Sequence, residues 1–124
     1  EVRFINEWIL GDLPLPVCPV LSGDLYEAYL RWCRKNGETR PRPSNQFYGA
    51  ITHMQGWSKG KQRIFPNEMA TQTEPKPIVV PPSDVLSRHD AAQPEGVSQA
   101  RWLTDAVKRF KNALYWNEEE RYGT

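Results

Sequence analysis

The chemistry of this sequence concentrates in "SNQFYGAITHMQGWSKGKQRIF", residues 44–65, where a small amphipathic helix runs into a glycine turn carrying Lys59, Lys61 and Arg63. The charge extends upstream. Between Arg31 and Arg63 there are eight basic residues (Arg31, Arg34, Lys35, Arg40, Arg42, Lys59, Lys61, Arg63) against one acid, Glu38. The whole chain carries a formal charge of only +1, so the remainder is net acidic. A one-signed block in an otherwise acidic chain is the footprint expected for a polyanion partner, because a merely solubilising surface would mix the signs.

Other chemistries find little support. Cys18, Cys33, His53 and His89 are too scattered for a zinc site, and no metal or other cofactor is expected. Lys61 follows Gly60 as in a phosphate loop, but Gln55 and Gln62 stand where that motif needs glycine and serine or threonine. No GxSxG, HExxH or paired-carboxylate arrangement appears, so no catalytic residue is assigned. The two cysteines form no CxxC pair and read as core residues of a protein from a reducing compartment. No apolar run approaches the roughly 20 residues needed to span a bilayer, so no membrane partner is expected. With Glu1 at its start, the 124-residue chain reads as a fragment of a longer protein.

The positioning elements follow from periodicity. Phe4, Ile5, Trp8 and Ile9 give a first helix a buried stripe, and Pro14, Pro16 and Pro19 then enforce an extended connector. A second helix, "DLYEAYLRWCRKNG", is capped by Ser22 or Asp24, buries Leu25, Tyr26, Tyr29, Leu30, Trp32 and Cys33, and stops at Gly37. After the rigid basic turn "ETRPRP", Ser44 caps a third helix with Phe47, Ala50, Ile51 and Met54 inward. Its outer side carries Asn45, Tyr48, Gly49, Thr52 and His53. A helical glycine costs about 1 kcal/mol relative to alanine, so Gly49 suggests close approach to another backbone.

"GWSKGKQRIFP" reads as a β-hairpin turning at Lys59–Gly60 and anchored by Trp57, Ile64 and Phe65. In the proline-rich middle only "PIVV" suggests a strand, at an edge, and the rest reads as loop or linker. From Val97 a helix of about 30 Å carries the seam Ala100, Leu103, Val107, Phe110 and Leu114, flanked by Trp102, Ala106, Ala113 and Trp116, and ends in the acidic tail "NEEERYGT". That seam must be buried, either by packing back on the domain or against the same helix of a second copy in a homodimer.

Two helices, a short turn and a hairpin form the order of a winged helix–turn–helix. The expected fold is therefore α+β and mostly helical, with a small β-hairpin wing and an extra C-terminal amphipathic helix. Residues 1–82 form the core, 83–96 a linker, and 97–124 the last helix and tail. The recognition helix offers Ser44, Asn45, Gln46, Tyr48, Gly49, Thr52 and His53, with the Asn45 and Gln46 amides able to read an adenine edge. Arg40, Arg42, Ser58, Lys59, Lys61 and Arg63 meet the DNA backbone.

"LYEAYLRWCRKNGETRPRPSNQFYGAITHMQGWSKGKQRIF", residues 25–65, resembles the C-terminal domain of phage and plasmid primase–helicases, a family with a "lYeaY..Wc..nG" helix followed by "s...F...l" and "g...k....R.f". The resemblance covers about a third of the chain well and the N-terminal helix loosely, and its motif residues Tyr26, Tyr29, Trp32 and Gly37 are mostly core and capping positions. It implies sequence-specific binding of double-stranded DNA at a phage replication origin. Primase and helicase domains would then lie upstream in the same chain, with a phage copy-number regulator as a candidate partner and the cytoplasm of an infected bacterium as the location. Two other classes stay open: an interaction module acting through its last helix, and a sequence-neutral DNA clamp.

Overall fold

The structure, a computed structural model, describes the backbone of residues 2–122 and the side chains of residues 2–115. Its elements are α1 (Val2–Ile9), β1 (Val20–Leu21), α2 (Ser22–Lys35), α3 (Ser44–Thr52), β2 (Ser58–Ile64), β3 (Glu74–Val80), α4 (Ser83–Arg88) and α5 (Gln99–Tyr122). The class is α+β: five helices among the described residues, with a three-stranded antiparallel sheet in the order β1-β3-β2.

The first helices bury the expected stripes. Phe4, Ile5 and Trp8 of α1 lie in the core, where the Phe4 ring meets Tyr29 at 5.7 Å and Trp32 at 5.9 Å edge-on. The Trp8 indole donates to the Pro16 carbonyl at 3.0 Å, which ties α1 to the proline connector. Gly37, at φ +74°, ends α2, with Glu38 N–H donating to Cys33 O at 2.8 Å and Gly37 N–H to Arg34 O at 3.4 Å. That pair of bonds satisfies carbonyls that the helix end would otherwise orphan.

Both expected caps are corrected. Neither Ser22 nor Ser44 makes a capping bond; each is the first residue of its helix. At α2 the entry is set by the sheet, since Val20 and Leu21 pair with Val79 and Ile78 immediately before the helix. Ser22 and Asp24 are instead buried, and Asp24 faces Lys111 of α5 at 3.4 Å. At α3 the preceding Pro43 has the extended backbone of a cap, and its carbonyl accepts from Phe47 N–H at 3.0 Å. Proline fixes φ near the required value without any side-chain bond.

The hairpin is also corrected. There is no turn at Lys59–Gly60; β2 runs straight through it and pairs with β3 from Ser58↔Val80 to Ile64↔Glu74. The turn lies at residues 65–73. A tight turn at Gly60 would have left only two or three residues per strand, whereas the β-branched run Ile78–Val80 supplies a longer partner. That run is no edge: Ile78 and Val79 are flanked by both β1 and β2. Pro75 and Pro77 lie beyond the reach of the two-residue β1, on the part of β3 with one open side, where a missing N–H breaks no ladder.

The stretch 83–96, expected as a linker, contains α4, whose Val85 and Leu86 are buried with Ala91 in the main core. His89 is hydrogen-bonded through Nε2 to Ile9 O at 2.7 Å, and the Trp102 indole donates to Ala91 O at 3.0 Å. The α5 seam is buried against the chain itself. Leu103 and Val107 pack on Ile64 and Ile78, while Ala106, Phe110 and Leu114 enter the main core, Phe110 meeting Trp8 edge-on at 5.9 Å. Ala100 is half-buried at its start. The side chains of Trp116 and the acidic tail lie outside the described residues.

Candidate nucleic-acid interface

Side chains alternate along a strand, so Lys59, Lys61 and Arg63 of β2 share one face while Gly60, Gln62 and Ile64 share the other. The second face belongs to α5. Ile64 packs beside Leu103, Gln62 Oε1 accepts from Gln99 at 3.4 Å, and Phe65 N–H donates to Thr104 Oγ1 at 2.9 Å. The cations consequently look away from α5, and the first of them reaches α3. Lys59 Nζ lies 4.8 Å from the centre of the Tyr48 ring, a cation–π contact that joins ribbon to helix. Lys61 is exposed beyond it, and Ser58 is exposed at the start of the strand. Arg63 lies along the ribbon, its guanidinium donating to Thr73 Oγ1 and Thr73 O, both at 2.9 Å. The alternation of β2 was visible in the sequence but hidden by the turn assigned to Gly60.

On α3 the two ends differ. Ser44, Asn45 and Gln46 are exposed at its N-terminal end, next to exposed Arg40 and Arg42. The basic turn is held from behind: Tyr26 Oη donates to Arg42 O at 2.8 Å, and Arg42 N–H donates to Tyr29 Oη at 2.9 Å. The Arg42 side chain then donates to Gln46 Oε1 at 3.3 Å. These phenol contacts were missed because Tyr26 and Tyr29 fit an apolar stripe; their hydroxyls are the signal that could have placed the turn. At the other end Thr52 Oγ1 donates to Gly49 O at 3.1 Å, and His53 Nδ1 lies 2.7 Å from the same carbonyl. Thr52 and His53 thus close the last turn of the helix as well as facing solvent.

Tyr48 is half-buried, and its hydroxyl donates to Ser22 O at 2.9 Å; burial pushes its pKa up, so it stays a neutral donor at physiological pH. It acts as a strut between α2, α3 and the ribbon. A methyl group at Gly49 would meet no atom of any other element within 4 Å, so no packing against the rest of the domain requires this glycine. Arg31, counted with the basic block, belongs elsewhere. It pairs with Glu27 at 3.2 Å and donates to Leu114 O at 2.8 Å, fastening α5 to α2.

Groups with reactive potential do not converge here. Cys18 and Cys33 are free, buried thiols. Among the described residues no three of His, Cys, Asp or Glu are grouped to hold a metal ion, and no helix is long and apolar enough to cross a membrane. The assembled surface is a row of exposed amides on a short helix, with cations before its start and on the adjoining ribbon. That arrangement can place charge on phosphates while amides reach an edge of a base.

No curated protein and no solved structure matches the chain. Residues 2–77, from α1 through most of β3, match the family described as Poxvirus D5 protein-like. With well over half of its residues matched, the chain belongs to the Poxvirus D5 protein-like family and is a replication-related domain.

Proposed function

We propose that this domain is a winged helix–turn–helix that binds double-stranded DNA in a sequence-specific manner at a replication origin, delivering primase and helicase activities carried elsewhere in the same chain. The observation that carries the reading is the common exposure of the α3 amides and the Lys59–Lys61 face of β2, joined through Tyr48. The order α1-β1-α2-α3-β2-β3 with sheet order β1-β3-β2 supports it, since a recognition helix followed by a two-stranded wing is what that motif requires. In this reading α3 enters the major groove by its N-terminal end, and Arg40, Arg42, Lys59 and Lys61 lie on phosphates. Gly49, with open space before it, allows the helix backbone to approach the DNA closely. Membership of a replication-related family supports the setting.

The test is equilibrium competition. Labelled duplex from the origin of the parent replicon is challenged with excess random duplex of equal length. Retention of the origin duplex against random competitor is expected, typically by a factor of 10³ or more for a sequence-specific protein. Equal displacement by origin and random DNA would leave a sequence-neutral clamp, and absence of duplex binding would leave an interaction module. Asn45→Ala is expected to lower origin affinity by about 1–3 kcal/mol with little change for random DNA, as loss of one good base contact does.

A further inference from the structure

We infer that Tyr26 and Tyr29 are positioning residues for DNA binding: they hold the backbone of Arg42 in place for a phosphate before any DNA arrives. The inference rests on the DNA-binding reading above. Residues 34–46 are all exposed, so the basic turn between α2 and α3 buries no side chain of its own as an anchor. A turn of that kind would be ordered only on binding, and the ordering would subtract from affinity. The prolines supply part of the remedy. Arg40 precedes Pro41 and Arg42 precedes Pro43, which holds both arginines to extended backbone. Proline has no N–H, so Arg42 supplies the one backbone donor of residues 41–43.

The phenols supply the rest. Arg42 N–H donates to Tyr29 Oη at 2.9 Å, and Tyr26 Oη donates to Arg42 O at 2.8 Å, so both backbone polar groups of Arg42 are bonded. The two rings are themselves fixed by α3. Tyr29 stacks on Phe47 with ring centres 4.6 Å apart and planes 20° from parallel, and Tyr26 meets Phe47 at 5.6 Å. Phe47 is fully buried, so the turn and the recognition helix are located by one point of the core. With its backbone set in advance, Arg42 loses only side-chain freedom when it meets a phosphate. The cost of ordering the turn belongs to folding rather than to binding.

The experiment measures the affinity of the full chain for a random duplex over a range of salt concentrations, with amide hydrogen exchange at Arg42 read on the free protein. Tyr26→Phe and Tyr29→Phe keep the ring packing and remove one hydroxyl each. Each is expected to weaken binding on the order of fivefold, as loss of one hydrogen bond does. The slope of log affinity against log salt stays unchanged, because the phosphate contact still forms. Arg42→Ala instead makes that slope shallower by about 0.9. In the Arg42→Ala background neither Phe substitution has a further effect, since a residue acting through Arg42 has nothing left to act on. Tyr29→Phe also speeds exchange of the Arg42 amide. Wild-type affinity in both Phe variants, an equal loss with and without Arg42, or unchanged Arg42 exchange in Tyr29→Phe would each overturn the inference. If Tyr29→Phe fails to fold, Tyr26→Phe, whose ring is only half-buried, decides the same cycle with Arg42→Ala. Duplex binding by a protein that fails these tests leaves the DNA-binding reading standing. Absence of duplex binding by the wild-type chain removes that reading and this inference together.

Discussion

Lys59 and Lys61 stand on the open face of β2, so each is expected to neutralise a phosphate. Replacing both by alanine should make the slope of log affinity against log salt shallower by about two units, at about −0.9 per contact, and weaken all duplexes alike. An unchanged slope would remove the ribbon from the interface. Cys18 is a buried, free thiol. Burial pushes its thiol from 9.0 up to about 11, against a smaller opposing influence of Arg109. The folded state therefore holds this proton more tightly than the unfolded chain does. Its contribution to stability is complete below pH about 9 and is lost as the pH rises towards about 11. Urea melts of wild type and Cys18→Ala should diverge in their pH dependence across that window, the wild type losing roughly 1 kcal/mol more per pH unit. Parallel curves would show that the thiol is not desolvated.

At the scale of elements, the helices were legible because a 3.6-residue period leaves a stripe that can be read directly. Phe4, Ile5 and Trp8, then Phe47 and Ile51, are buried as that period requires. The ribbon was misread for a specific reason: Lys59–Gly60 has the local chemistry of a turn, but β2 gains seven paired residues by ignoring it. Long-range pairing outweighed a local preference. The α5 seam had two ways to be covered, and Phe110 against Trp8, with Leu103 and Val107 over Ile64 and Ile78, covers it within the chain. Leu103→Glu or Phe110→Glu should accordingly lower the melting temperature without altering the sedimenting mass, since each places a charge in the core. The milder Phe110→Ala should cost about 3–5 kcal/mol in urea unfolding. A seam variant that stays equally stable but changes mass would point to a second copy as the natural cover.

For the whole molecule, the interdependence of these parts has a direct consequence. The sheet is covered on one face by α5, and the core formed by α1, α2 and α3 also includes Val85 and Leu86 of α4. A fragment of residues 1–82 would expose Trp8, Ile64 and Ile78 at once. It is expected to lack a cooperative thermal transition, whereas residues 1–124 should unfold in one step. Dispersed amide resonances and a sharp melt from the 1–82 fragment would show instead that α4 and α5 are dispensable. The same packing turns the cations of the ribbon outward: with α5 on one face of β2, Lys59 and Lys61 stand on the other.

By itself the sequence determined the helical stripes, the glycine stop at Gly37, the basic block from Arg31 to Arg63 and its placement around a short helix and ribbon. All of these depend on neighbours within a few residues, where spacing and residue type suffice. The tertiary structure alone decided the partner of β2, the central place of Ile78 and Val79, the cover of the α5 seam and the diversion of Arg31 to Leu114 O. It also decided which end of the Gln46 amide faces Arg42. Each of these is a choice among competing contacts that are locally similar. What settles them is how much apolar surface and how many strand pairs the complete chain can satisfy together.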